Sequence, residues 1–372
     1  MTVLFDLDSH LQMGAEEMVA VFGHAASVLP GAAAAVSRPA DEVPTAAPQV
    51  DPATVWQVKG SRAPGAAVAA DRVSVLDAMG VGRQLVLPRV RVALAAWRGD
   101  EPAATGLVRR YNDFIADWQR PYPERLYGAG ILTMRDPESA VAEAVRAAEA
   151  GLRAVLLPCV EPPGGRSPAD PAWEPLWRTL SESGLAVILH AGSESGFVDS
   201  RWKPPADLGF TDRAEGVRDK IDVETVDLFK LITMQYGPQI LLSSLVLGGV
   251  LERFPDLRFA VLELGADWVA PFVRMLDARV REFGSYSDVR LTCLPSEVLL
   301  RQLRVSPFHW EAVADYLADE ELFPLYSFST DFPHSEGGQQ TYPIAERTLA
   351  HLPEPVRRSY FSESAGLILR AG

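Results

Sequence analysis

The chain of 372 residues is 48% hydrophobic and 23% charged, with a formal net charge of -14. That composition supports a large buried core, as one big α/β domain or two smaller ones, and excludes a disordered polar chain. The acidic balance argues against a nucleic-acid or anionic-membrane surface, because phosphate neutralisation needs clustered lysine and arginine, and it leaves a small anionic substrate open.

In chain order, the first apolar run is Val3-Leu4-Phe5-Asp6-Leu7-Asp8-Ser9-His10, a strand that ends in Asp8 and His10. Residues 25–70 follow, rich in Ala, Pro and Gly, with Trp56, Lys59 and Arg62 toward their end. A stretch of that length without periodicity reads as a lid-like insertion. Residues 84–87 form a second strand, and an amphipathic helix at 107–118 precedes a third at 126–132. Asp136 caps a helix over 137–150 with Pro137 at its first position and Gly151 as its stop. A fourth strand at 153–157 follows. A helix over 174–182, closed by Gly184, leads to a fifth strand at 186–189 that ends in His190. A long helical tract from about 223 to 253 precedes a sixth strand at 258–262, which runs into Glu263. Strands at 304–306 and 326–329, with a helix over 311–318 between them, bring the total to eight.

Strands that are apolar throughout are buried on both faces, as in parallel sheets. Eight such units alternating with helices predict an α/β fold, a (β/α)₈ TIM barrel forming a single domain over 1–372 with 25–70 inserted after strand 1. A doubly wound sheet would place a glycine-rich phosphate loop after its first strand, and the sequence has none there. The tract at 223–253 also offers a possible homodimer face, although an outer barrel helix explains it equally well. Two cysteines, Cys159 and Cys293, fit a reducing compartment. Asp6 and Asp8 within the first apolar stretch do not fit a signal peptide, and no apolar run approaches the roughly 20 residues that span a bilayer. The expectation is a cytoplasmic protein with a small-molecule substrate.

In a barrel the carboxyl ends of the strands converge on one site. Asp8, His10, His190, Glu263 and Asp331 all stand at such ends, and Asp8 and His10, two apart on an extended strand, share a face. Each alone has a plainer reading: a hydrogen-bonded structural histidine, an aspartate cap, a glutamate paired with an arginine. Four separate strands ending this way outweigh those readings. Imidazoles mixed with carboxylates suit one divalent ion such as Zn²⁺, Mn²⁺ or Fe²⁺, with the oxygen-rich share tilting toward Mn²⁺. His334, three residues after Asp331, is placed to hold a substrate oxygen or relay a proton, or to cap a helix. Arg201 and Arg166 are loop candidates for a carboxylate clamp. Trp202, Trp268 and His309 are candidates for lining a substrate pocket, whereas Trp118, Trp173 and Trp177 read as packing residues.

The segments Asp6-Leu7-Asp8-Ser9-His10, Ile188-Leu189-His190-Ala191-Gly192, Glu252-Arg253-Phe254-Pro255-Asp256-Leu257-Arg258, Glu263-Leu264-Gly265-Ala266-Asp267-Trp268-Val269 and Ser329-Thr330-Asp331-Phe332-Pro333-His334-Ser335-Glu336-Gly337 resemble the amidohydrolase superfamily. More narrowly, they resemble the amidohydrolase-related family that includes aminocarboxymuconate-semialdehyde decarboxylase. The resemblance implies a metal-dependent barrel acting on a small, often aromatic or carboxylated, substrate. It implies His10 and His190 as metal ligands and Asp331 as a ligand that also shuttles a proton. Two positions depart from the family pattern: its usual HxH is Asp8-Ser9-His10 here, and its strand-six histidine is Glu263. No lysine stands near Leu157-Pro158-Cys159 to bridge two metals, so one ion is expected. Non-oxidative decarboxylation is slightly preferred over hydrolysis of an amide, ester or lactone, and a non-catalytic metal-binding barrel is the reading from another class.

Overall fold

The computed structural model describes residues 3–23, 50–52, 55–57, 59–60, 63–204, 227–334, 337 and 340–370. Its centre is a parallel sheet of seven strands: β1 (Phe5–Asp6), β2 (Arg83–Val86), β3 (Leu126–Ile131), β4 (Ala154–Leu156), β5 (Ala186–His190), β6 (Phe259–Leu262) and β7 (Leu303–Val305). Spatial order equals chain order, and every neighbouring pair is parallel. Alternating residues divide between two cores. Val155, Val187 and Val261 belong to the outer cluster against the helices. Leu156, Ile188 and Leu262 belong to an inner one. Burial on both sides is why these strands carry no polar alternation.

The expected eighth strand at 326–329 is present only as isolated contacts. Ser327 N donates to Val305 O at 3.0 Å and Leu7 N donates to Phe328 O at 3.1 Å, while Phe328 N turns away to Tyr360 O at 2.9 Å. The segment thus bonds β7 on one side and the residues after β1 on the other, without a continuous ladder. The sheet therefore curls back on itself in the manner of a TIM barrel. Ala365, Ile368 and Leu369 of helix Ser364–Leu369 join the inner core and fill its lower end.

Local signals explain most helix boundaries. Asp136 accepts from Ser139 N at 2.8 Å and opens helix Pro137–Glu149. Gly184 ends helix Glu174–Ser183 in the left-handed conformation, φ 72. The long tract expected at 223–253 is instead three helices, Leu228–Thr233, Tyr236–Leu247 and Val250–Arg253. Pro238 has no N–H with which to continue the first helix, and Gly249 at φ 68 breaks the second from the third. No helix among the described residues is long and apolar enough to cross a membrane. Both cysteines are free; Cys159 is buried, and burial pushes its thiol up to about 12.

Most of the 25–70 segment lies outside the described residues. Its described end is packed down: Trp56, Ala63 and Ala66 are buried. Gly60 N donates to Pro333 O at 2.8 Å, and Gln12 N donates to Ala66 O at 2.8 Å. That end therefore runs beside the segments that follow His10 and Asp331.

Because Ile368 is fully buried at the lower end of the inner core, Ile368→Ala should cost roughly 2–5 kcal/mol of stability. Urea unfolding followed by circular dichroism measures this, and a loss below about 1 kcal/mol would mean that the helix is not part of the core.

Candidate metal centre

Beneath the site, Asp6 of β1 is wholly buried and its carboxylate gathers three segments. It accepts from Gln84 Nε2 of β2 at 2.7 Å, from Thr330 N at 2.8 Å and from Thr330 Oγ1 at 2.6 Å. These bonds fix the ends of β1 and of the eighth segment side by side, so that Asp8 and Asp331 emerge together. Asp331 N in turn donates to Asp8 O at 2.9 Å.

The side chains above this support converge. His10 Nε2 lies 3.4 Å from Asp8 Oδ1, 3.2 Å from Asp331 Oδ1 and 3.9 Å from Glu263 Oε2. His190 Nε2 lies 2.9 Å from Glu263 Oε2 and 3.5 Å from Asp8 Oδ1. Two overlapping groups could each hold an ion: Asp8, His10, His190 and Glu263, and His10, Glu263, Asp331 and His334. Within each group the donor atoms lie within 4.8 Å of one another. Asp8, His10, His190 and Asp331 are buried, and Glu263 is partly so.

Two of the carboxylates sit on unusual backbone. Glu263 has φ 55 and Asp331 has φ 51. The left-handed region costs a non-glycine residue of order 1–3 kcal/mol and is concentrated at functional sites. Here it turns each carboxylate inward at the end of its strand.

The donor set fits a cation. His190 Nδ1 lies 3.0 Å from Ala191 O, a contact that makes it the donor and leaves a neutral ring presenting its Nε2 lone pair to two carboxylates. That arrangement is repulsive unless the ring protonates or a cation intervenes. Asp8 Oδ1, His10 Nε2, His190 Nε2 and Asp331 Oδ1 are all buried without a well-formed hydrogen bond. Burial alone opposes charge on His190, but Asp8 and Glu263 outweigh it and hold the imidazole well above its usual pKa. Burial likewise raises Asp8 and Asp331, yet His190 beside the first and His334 beside the second, with His10 next to both, hold them below the usual carboxylate range. The adjoining cavity, of about 20 Å³, is bounded by Asp8, Glu263, Ser306, His309 and Asp331. That is room for a water molecule or an ion.

His334 belongs to the same cluster. Its Nδ1 is 2.9 Å from Asp331 Oδ1, its ring stacks on His10 with centroids 3.9 Å apart, and its Nε2 is 2.5 Å from Gln12 Nε2. Gln12 was missed in the sequence, although it extends the alternation of Asp8 and His10 by two residues. Of the expected substrate-binding residues, His309 lines the cavity. Trp268 is buried beside Phe272, with its Nε1 donating to Gly265 O at 2.9 Å. Trp202 is 76% exposed. Arg201 is exposed and paired with Asp199, and Arg166 lies 3.9 Å from Asp170. The structure thus places Arg201, Trp202 and Arg166 against solvent and their own neighbours.

Glu311 also went unmarked as a site residue. Its carboxylate accepts from Ala266 N at 3.0 Å and from Phe308 N at 3.2 Å, joining the loop after β6 to the loop after β7. Burial raises its pKa from 4.5 to about 7. A carboxyl raised on folding favours the folded state most below its unfolded pKa, and that contribution is lost as pH rises through the folded value. Between about pH 5 and pH 8, the melting temperature of the wild type should therefore fall relative to that of Glu311→Gln. Parallel pH profiles for the two proteins would contradict this.

An amidohydrolase family model matches residues 25–370. Among solved structures, an amidohydrolase from Mycobacterium avium subsp. paratuberculosis K-10 is 19% identical with a TM-score of 0.69, covering 99% of both chains. A 5-carboxyvanillate decarboxylase from Sphingomonas paucimobilis is 20% identical with a TM-score of 0.63, covering 100% of this chain and 99% of that one. A dihydroxybenzoic acid decarboxylase from Polaromonas sp. JS666, with bound manganese and the inhibitor 2-nitroresorcinol, is 16% identical with a TM-score of 0.62. It covers 100% of this chain and 97% of its own. At these identities the likeness is one of fold.

Proposed function

This chain belongs to the amidohydrolase family, and on that footing we propose that it is a metal-dependent enzyme that removes CO₂ from a small aromatic carboxylic acid without oxidation. One observation carries the reading. Asp8, His10, His190 and Glu263 form one candidate ion-holding group and His10, Glu263, Asp331 and His334 the other, the two meeting at His10 and Glu263, and Asp8 Oδ1, His10 Nε2, His190 Nε2 and Asp331 Oδ1 are buried without a well-formed hydrogen bond. Asp8, His10, His190 and Asp331 would hold one divalent ion together with Glu263, the carboxylate that both groups share. Manganese in the Polaromonas protein and the oxygen-rich donors here favour Mn²⁺ over Zn²⁺. When bound, the ion acts as a Lewis acid and template for the substrate carboxylate and an adjacent oxygen.

The chain's own residues supply the proton chemistry. His334 Nδ1, 2.9 Å from Asp331 Oδ1, hands a proton to Asp331, which its imidazole neighbours keep ionised until then, and Asp331 delivers it to the carbon that bears the carboxylate. The bond to the carboxyl carbon then breaks, its electron pair stays with the ring and CO₂ leaves. Gln12 braces His334 for this transfer. His309 and Phe308 border the cavity, which is the size of one water and must widen between them to seat the ring of a substrate. The barrel forms one unit, with the 25–70 segment as a lid whose described end already lies against Gln12 and Pro333.

A second reading rests on the cavity itself. A space the size of one water between Asp331, Asp8 and Glu263 also suits hydrolysis of an amide, ester or lactone, with Asp331 taking the proton of the attacking water. Incubating the Mn²⁺-loaded protein with hydroxybenzoic acids decides between the two. CO₂ release supports the first reading; no CO₂, together with ¹⁸O from labelled water in the hydroxy acid formed when a lactone is supplied instead, supports the second.

Two variants test the residues. His190→Ala should purify with well under one equivalent of metal, against about one in the wild type, as read by elemental analysis. Asp331→Asn should retain the fold but lower kcat by roughly 10²–10⁴-fold. A wild-type protein free of tightly held metal would overturn the proposal.

A further inference from the structure

Arg72, on helix Ala69–Met79, is wholly buried, and the mechanism above gives it no role. A guanidinium has five N–H donors in a fixed plane. All five find acceptors here: Nε donates to Gly65 O at 2.6 Å, Nη1 to Gln84 Oε1 at 2.9 Å and Ser9 Oγ at 3.3 Å, and Nη2 to His10 O at 2.6 Å and Ala66 O at 3.4 Å. Its face lies over the Phe332 ring, with Cζ 5.0 Å from the ring centroid.

These partners share a function rather than a helix. Ser9 and His10 end the first strand segment, Phe332 follows Asp331, and Gly65 and Ala66 are the described end of the 25–70 segment. Gln84, held by Nη1, donates onward to Asp6 at 2.7 Å, and Asp6 receives Thr330. We propose that Arg72 is a positioning residue of the centre: one planar cation sets His10 against Asp331 and fastens the 63–68 segment to the same rim. The reference to a metal centre rests on the function proposed above; the fastening of the segment does not. Lysine keeps the charge but offers three donors from a point, so it cannot reproduce the fork.

A purely structural arginine would affect global stability alone. The test therefore compares the wild type with Arg72→Lys at a temperature where near-ultraviolet circular dichroism shows both to be folded. Amide hydrogen exchange is read over residues 7–13, 63–68 and 101–119. Exchange in the first two stretches should quicken by at least about tenfold as buried acceptors lose their donors, with 101–119 unchanged. Mn²⁺ affinity, followed by the free-ion paramagnetic resonance signal, should weaken by about 10–100-fold. Should Arg72→Lys fail to fold, Phe332→Leu removes only the ring beneath the guanidinium and should shift both readouts in the same direction by less. Unchanged exchange in 7–13 and 63–68, or equal acceleration in 101–119, overturns the inference. A wild type that takes up no Mn²⁺ defeats the metal reading instead, and the exchange data still decide the role of Arg72.

Discussion

Charge crowding at the strand mouths constrains everything around it. Asp8 and Glu263 present oxygens within 4.8 Å of each other, and the second group sets Asp331 beside Glu263 at similar range. Two like charges 4 Å apart repel by about 4 kcal/mol even at an effective dielectric of 20. A single hydrogen bond contributes about 1 kcal/mol, so no one contact holds such a cluster together. The imidazoles of His10 and His190 lie between the carboxylates, and the backbone beneath is tied at many points. Asp6 gathers β1, β2 and Thr330 from below, while Ser306 and Glu311 hold the loops after β6 and β7. A cation bound at the same point would relieve the repulsion that these supports otherwise contain.

Much of this was legible from the sequence because topology does the work. Once the apolar runs are read as parallel strands, residues at their carboxyl ends must meet at one rim, and Asp8, His10, His190, Glu263 and Asp331 needed no further information to be grouped. What stayed hidden was the scaffolding. Arg72, Gln84, Gln12 and Glu311 act through partners that are distant in sequence or spread over several loops, and a buried polar residue on a helix or strand carries no local mark of the acceptor it will reach. Arg72 looks like any helix-surface arginine until Gly65, Ser9 and His10 are folded around it.

Loops were read least well, for a related reason. Arg201 and Trp202 were candidates for a substrate pocket as loop residues, but a loop's position does not dictate where its side chains turn. Asp199 holds Arg201 locally and Trp202 faces solvent. The tract at 223–253 was misjudged as continuous because its apolar content outweighed Pro238 and Gly249 in the reading. The eighth strand was overestimated because residues 326–329 share the composition of a strand but send one of their amides to Tyr360.

The bond from Leu7 N to Phe328 O joins residues more than three hundred positions apart. Until a growing chain has delivered residue 328, β1 and β7 are both exposed edges able to pair with strands of other molecules. The lower opening stays unfilled until Ile368 and Leu369 arrive. Such long-range closure makes for slow folding, with aggregation as its competitor. Synthesis of this protein therefore carries a late, vulnerable interval in which most of the rim of strand ends has been made and none of it is yet enclosed.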